Sequence, residues 1–209
     1  MRKSINLNTI CKSLKNECEN TQIFFFEGKN GEVFAGVFGL VFDEQSDVLN
    51  EINVECYDTS KMKAVSFLHM AVFRDRMFLN VIYTDVNYRQ LGLAKNLLRI
   101  SEDILKDFGY NEFVGEFGPH DKSTELSLDE LRNNALLFYK SLGYDILDFK
   151  HFYENPELYP KNLEDVFFAR ELIYKRMDSK KNINIIEVGD YFVEESLAQK
   201  LGLVKNFGE

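Results

Sequence analysis

Tyr88-Arg89-Gln90-Leu91-Gly92-Leu93-Ala94-Lys95 marks the point where the chain changes period. Before it, residues 77–84 read as an apolar strand. After it, Leu93, Leu97, Ile100, Ile104 and Phe108 step by four, three, four and four residues, which is one face of a helix. The stretch is therefore a strand-to-helix turn with small residues where the helix opens. The first turn of a helix leaves N–H groups without intrahelical partners, and the macrodipole makes that end positive. Gly92 and Ala94 give an anion such as phosphate access to that backbone. On the other reading, Gly92 only lets the helix pack closely on a sheet.

Working outward, residues 65–73 and 77–84 form a strand pair around a short turn at Arg74-Asp75-Arg76. Upstream, apolar runs at 23–26 and 33–42 flank Gly28-Lys29-Asn30-Gly31, a β-hairpin with Asn-Gly turn chemistry. Residues 52–57 read as a further strand or as part of the loop before the next pair. Residues 5–20 place Ile5, Leu7, Ile10, Leu14 and Cys18 at helix-like intervals.

Downstream of the turn, Gly109 caps the helix, and residues 112–117 predict a strand followed by a polar loop with Gly118-Pro119. Ser127 and Glu130, three apart, form a capping-box pattern that opens a second helix with Leu131, Ala135, Phe138 and Leu142 as its buried stripe. Apolar runs at 144–152 and 166–174 predict two more strands. The basic stretch 175–181 reads as a linker, with a strand at 183–188 and a helix at 194–203 beyond it. This order predicts an α/β fold with a mixed, mostly antiparallel sheet and flanking helices. One domain is expected over 1–174, with its core motifs in 65–150. The segment 175–209 is expected as an appendage that covers the site, makes a dimer contact, or completes the sheet.

Composition limits the function. No apolar run approaches the roughly 20 residues that span a bilayer, and no apolar segment follows the first residues as in a secretory signal, so the cytoplasm and no membrane partner are expected. A net charge of −9 opposes sequence-independent nucleic-acid binding and favours cationic small molecules or basic peptides. The cysteines, Cys11, Cys18 and Cys56, are odd in number, which favours reduced thiols. No metal-ligand spacing links His69, His120 and His151, and no metal is expected.

Two segments together resemble one family. Arg89-x-x-Gly92-x-Ala94, after a strand and opening a helix, resembles the acyl-CoA binding motif of the GCN5-related N-acetyltransferase (GNAT) family. Ala135-Leu136-Leu137-Phe138-Tyr139-Lys140-Ser141-Leu142-Gly143-Tyr144 resembles that family's downstream helix, and the two lie about one strand apart as the family's order requires. Arg132 stands where the family often has asparagine, with Asn133 and Asn134 displaced from that position.

The resemblance implies an acyl-CoA N-acyltransferase-like fold. It also implies transfer of an acetyl group from acetyl-CoA to a primary amine, of a small molecule or of a peptide or protein, by direct attack in a ternary complex. It assigns pyrophosphate to Arg89, Gln90, Leu91, Gly92, Leu93, Ala94 and Lys95, with Asn134 as a further cofactor contact. A strand N–H among Ile82, Thr84 and Val86, centred on Thr84, would polarise the thioester carbonyl in a gap between splayed strands. Tyr139 is the implied general acid, protonating or hydrogen-bonding the departing thiolate. Glu116 at a strand end and His120 in the next loop are the candidate bases, whereas Asp85 either serves near the cofactor or caps the turn. Asn80 stands where many relatives carry a carboxylate; it cannot take a proton but can orient a water. The alternative is a non-catalytic CoA-binding or interaction module, and a homodimer is also compatible.

Overall fold

In chain order the elements are α1 (Leu7–Leu14), β1 (Thr21–Glu27), β2 (Val33–Phe42), β3 (Leu49–Asp58), β4 (Lys63–Phe73), β5 (Arg76–Thr84), α2 (Leu93–Asp107), β6 (Glu112–Glu116), α3 (Leu128–Ser141), β7 (Asp145–Asp148), α4 (Phe149–Glu154), β8 (Glu171–Arg176), β9 (Ile185–Val188), β10 (Tyr191–Glu194) and α5 (Glu195–Lys200). They belong to a computed structural model that describes residues 6–14, 20–46, 48–73, 76–118, 125–158, 171–178 and 180–203. Ten strands make one sheet in the order β7-β8-β6-β5-β4-β3-β2-β1-β10-β9. All pairings are antiparallel except β5 with β6 and β1 with β10. The mixed, mostly antiparallel α/β fold expected from the sequence is the one observed.

The period-2 pattern of the strands decides the layering. Leu49, Ile52, Val54 and Cys56 of β3 and Leu68 and Met70 of β4 face a large core cluster that also holds Leu93, Leu97, Ile100 and Ile104 of α2. That is the helical stripe read from the sequence, and burying each such side chain contributes about 1.5–3 kcal/mol. The opposite face of β1 and β2 carries Ile23, Phe25, Val33 and Ala35 to a smaller cluster with Leu7 and Cys11 of α1 and Leu197 of α5. Gly115 sits where β6 passes closest to its neighbours: a Cβ there would lie 2.9 Å from Ile173 and 3.0 Å from Leu79.

Several expectations are corrected. The 52–57 segment is a strand, β3, running from Leu49 to Asp58. The run 144–152 is half strand: β7 ends at Asp148 and α4 follows, where Lys150 and Glu154 form an i,i+4 ion pair at 3.7 Å. The helix expected over 5–20 is described from Leu7 to Leu14, and residues 166–170 and Cys18 lie outside the described residues.

The stretch 175–181 is no free linker. Lys175 and Arg176 end β8, so the boundary expected at 174/175 falls inside a strand. Lys181 bonds the Asp103 carbonyl and pairs with Asp107. A strand the sequence reading missed, β10, follows β9 and lies parallel to β1. Two buried carboxylates on α2 hold this part of the chain. Asp103 accepts from the N–H groups of Asn182 at 2.9 Å and Ile183 at 3.1 Å. Glu102 accepts from the Tyr144 hydroxyl and, at 2.7 Å, from the Lys175 ammonium. Buried charge persists only when paired in this way. Of the roles left open for 175–209, the described part completes the sheet, with Lys175 and Arg176 in β8 beside β6 and with β9 and β10 at the edge far from β5 and β6.

Candidate active site

The site begins with an irregularity in β5. Opposite β4, His69 pairs with Val81 but Met70 pairs with Leu79, so Asn80 is an extra, bulged residue. A bulge bends its strand and sharpens the local twist. On the other side, Met77, Phe78 and Leu79 pair with Phe113, Val114 and Gly115 of β6, and the pairing stops where the bulge begins. From Asn80 onward the two parallel strands part.

A cavity of about 550 Å³ fills the opening, lined by Asn80, Ile82, Glu116, Asn134, Phe138 and Tyr139 among others. A second, of about 490 Å³, is lined by Thr84, Arg89, Gly92, Ala94 and Lys95, and it shares Ile82 and Phe138 with the first. The two adjoin at those residues and together outline a groove from the start of α2 to the gap. Its two ends differ in charge. Among the described residues, Arg89 and Lys95 line the α2 end, which has no carboxylate in its lining, while Glu116 is the acidic side chain lining the gap.

The turn itself fits an anion. Gly92 has φ +87° and Gln90 φ +63°, both left-handed. A Cβ on Gly92 would meet nothing within 4 Å, so close helix packing is not why glycine stands there. Its backbone conformation and its place in the cavity lining are the reasons left. Asn96 N–H bonds the Gly92 carbonyl at 3.0 Å, so the N–H groups before it precede the ladder of α2. The Arg89 side chain braces the turn through Nε–H to the Thr84 carbonyl at 3.2 Å. Tyr88 is buried beneath it, donating to Asp58 at 3.0 Å and accepting from Lys61 at 2.8 Å. Burial works against the Asp58 carboxylate, but hydrogen bonds from Ser60, Tyr88 and Lys61 outweigh it and hold its pKa below the usual value.

Backbone polarity of β5 follows from one contact. Asp85 N–H bonds the Val65 carbonyl on β4 at 2.9 Å. Alternation along an antiparallel ladder then turns the N–H groups of Ile82 and Thr84 away from β4, toward the gap.

The expected site residues separate into three groups. Ile82, Thr84, Arg89, Gln90, Gly92, Leu93, Ala94 and Lys95 line the α2 end of the groove. Tyr139, Glu116 and Asn134 line the gap, so Asn134 stands beside the gap and not beside the turn. Val86, which is 49% exposed, and Leu91 line neither cavity; the Leu91 carbonyl accepts from Lys29 N–H at 3.0 Å. His120 lies outside the described residues. Asp85 caps the short turn Val86–Tyr88 through Asn87 N–H at 3.0 Å, and that bond, with Lys63, lowers its pKa.

Tyr139 is buried among Phe117, Phe138 and Tyr144, and burial pushes its hydroxyl up to about 12. Arg132, at the family's asparagine position, makes a bidentate pair with Glu171 and lies over the Phe117 ring at 5.3 Å. It ties α3 to β8. Phe138 at the junction of the two cavities was read from the sequence only as core, since its helical spacing matches a buried stripe.

The chain is similar to solved acetyltransferases of the GNAT family. One, from Staphylococcus aureus, is 15% identical with a TM-score of 0.43 over 61% of this chain and 68% of that one. The PaiA N-acetyltransferase of Thermoplasma acidophilum, solved with coenzyme A, is 14% identical with a TM-score of 0.41 over 61% of this chain and 62% of its own length. Naa50 of Arabidopsis thaliana, solved with a bisubstrate analogue, is 16% identical with a TM-score of 0.39 over 60% of this chain and 72% of that one. No family model matches the chain, and no curated protein matches it.

Proposed function

We propose that this protein is an N-acetyltransferase that moves an acetyl group from acetyl-CoA to a primary amine by direct attack in a ternary complex. The observation that carries the reading is that the cavity at the cationic turn around Gly92 adjoins, at Ile82 and Phe138, the cavity lined by Tyr139 and Glu116. Phosphates are favoured at the end with Arg89, Lys95 and unpaired helix N–H groups. An ammonium is favoured at the end with a carboxylate.

Acetyl-CoA would supply the activated thioester; the chain's own groups do the rest. The Ile82 N–H faces the gap at the junction of the two cavities. It is the donor best placed for a carbonyl oxygen that becomes negative during attack, with Thr84 one step nearer the turn. Such a preorganised donor favours the transition state over the ground state. Glu116 accepts a proton from the acceptor ammonium, directly or through a water.

Tyr139 has a narrower task than full proton donation. Its pKa of about 12 lies well above that of an ordinary thiol, about 8.5, so handing the thiolate its proton is uphill by roughly 5 kcal/mol. It hydrogen-bonds the departing sulfur instead, and the proton that ends on sulfur comes from the acceptor nitrogen.

The test is calorimetric titration with acetyl-CoA, followed by thiol release in the presence of a primary-amine panel. Binding with turnover supports the transferase, and binding without turnover supports a CoA-binding module. No heat and no thermal shift at millimolar acetyl-CoA overturns both.

A further inference from the structure

Three polar side chains from adjacent strands meet on the sheet face turned away from α2 and α3. Ile52 and Val54 of β3 and Leu68 and Met70 of β4 point into the large core, so alternation sends Glu51 and His69 outward. His69 Nε2 lies 3.6 Å from a Glu51 carboxylate oxygen, and Nδ1 lies 3.1 Å from the side-chain nitrogen of Asn80. Asn80 is also the bulged residue that lines the gap. The row Glu51–His69–Asn80 thus runs across three strands and ends inside the proposed acceptor site.

The chemistry of the row fixes the Asn80 amide. The Glu51 charge favours the ring tautomer with hydrogen on Nε2, which leaves a lone pair on Nδ1. The Asn80 NH2 donates to that lone pair, which leaves its carbonyl oxygen as the amide group available to a ligand in the gap that Asn80 lines. Glu116 reaches the same gap from β6, because Phe113 and Phe117, at odd positions beside it, face the core. On β3, Asn53 lies directly opposite His69, with the charged groups Glu51 and Glu55 two residues to either side of it on the same face; β5 offers it Asn80, Val81 and Tyr83, and β4 offers Phe67 and Ala71. Phe67, Val81 and Tyr83 keep 40–43% of their surface exposed, an apolar rim to this opening.

We infer that Asn80 grips the acceptor nitrogen through its carbonyl oxygen, and that His69, steered by Glu51, acts as the positioning residue that sets the amide's orientation according to pH. The inference rests on the acetyl-transfer reading and concerns its acceptor half. With neutral His69, the Asn80 oxygen accepts a hydrogen bond from the acceptor's N–H. With His69 protonated, Nδ1–H needs an acceptor, so the amide turns over and presents NH2 to the gap. An ammonium, which has only donors, then loses its partner. Acceptor affinity therefore falls when the His69 ring takes up a proton, with acetyl-CoA affinity unaffected because Asn80 does not line the α2 end of the groove.

The first arm needs no activity. In the ligand-free full chain, the Asn80 side-chain amide resonances should move together with those of the His69 ring as pH is varied. Independent titrations of Asn80 and His69 overturn the positioning role. The second arm uses spermidine and a lysine-containing peptide as probes with saturating acetyl-CoA. Asn80→Ala should raise the amine KM about tenfold with kcat little changed, the factor a net hydrogen bond supplies.

His69→Gln keeps an acceptor oxygen toward Asn80 at every pH, so the acid-side rise of KM should disappear. Asn80→Asp presents oxygen in both directions and should also abolish it. Parallel pH profiles in wild type and His69→Gln overturn the inference while leaving the transferase intact. Acetyl-CoA binding without turnover of either probe overturns the transfer reading and the acceptor role with it.

Discussion

The sheet contains two parallel junctions, and they are finished in opposite ways. β1 meets β10 over only Phe24 with Phe192 and Phe25 with Val193. Aromatic rings pack across it on both faces: Phe24 stacks on Phe192 at 4.7 Å and edges Phe38 at 5.0 Å, while Phe25 meets Tyr191 at 5.2 Å, and the cavity beside Phe24 and Phe192 is the smaller, about 330 Å³. Glu27 N–H donates to the Glu194 carboxylate at 3.4 Å, and Lys200 of α5 pairs with Glu27. β5 meets β6 over three residues, then parts at a bulge, and the space is left as a cavity of about 550 Å³. Both junctions are short. The difference lies in how far side chains fill the space beyond each short parallel contact.

The strongest way to break this contrast is to empty the filled junction. Phe24→Ala removes a ring that is 6% exposed and should cost about 3–5 kcal/mol in urea unfolding. Acetyl-CoA affinity of the folded protein should stay the same, and a parallel loss of affinity would mean that the two junctions are coupled.

Next in size is a paired substitution in two turns. Gly92 and Gly109 have φ +87° and +84°, and a Cβ on either meets nothing within 4 Å. Valine at each should therefore cost a similar backbone strain, of order 1–3 kcal/mol. Only Gly92→Val should also weaken acetyl-CoA binding, by about tenfold or more in calorimetry. Equal affinities for the two variants would remove phosphate binding from the Gly92 turn.

Tyr139→Phe probes the open junction itself. Loss of a contact made to the leaving sulfur should lower kcat about ten- to a hundredfold, with KM for acetyl-CoA within about twofold. Since burial raises the wild-type hydroxyl to about 12, no fall in rate from tyrosine ionisation is expected near pH 10. A wild-type rate falling with a midpoint near 10 would place another, exposed group in that role.

The smallest effect concerns alkaline stability. Burial raises Tyr139 and Tyr174 to about 12, and it raises Tyr144 and Cys56 as well. A folded-state pKa above the unfolded one means the native state holds more protons in that window. Stability is then intact below the unfolded value and is lost as pH rises toward the folded one. For Tyr139 this amounts to about 1 kcal/mol at pH 10.5, visible as a lower melting temperature than at pH 8. Tyr139→Phe should reduce that drop, and an unchanged drop would mean its hydroxyl is not buried in solution.

What was legible in the sequence was whatever is encoded locally. The Ser127 capping box forms as read, with Ser127 N–H on the Glu130 carboxylate at 2.9 Å and Glu130 N–H on the Ser127 hydroxyl at 3.3 Å. The stripe of α2 and the turn before it were equally visible, because periodicity and small residues need no partner strand. The bulge at Asn80 was not, since it is a property of pairing between β4 and β5 and leaves no mark in composition. For the same reason Glu51, His69 and Asn80, far apart in the chain, could not be joined beforehand. β10 escaped because a four-residue strand beside a turn has too short a pattern to stand out.

The parallel contact between β1 and β10 has a consequence during synthesis. Phe24 and Phe25 leave the ribosome more than 160 residues ahead of Phe192 and Val193, which cover their edge. Until then the nascent chain carries an unpaired hydrogen-bonding edge beside four consecutive apolar residues, Ile23 to Phe26. Such an edge invites pairing with other chains, and domains generally settle only once their late partners have emerged. Release of polypeptides stopped before residue 185 should therefore yield aggregates, and a chaperone that shields strand edges would be needed most in that interval.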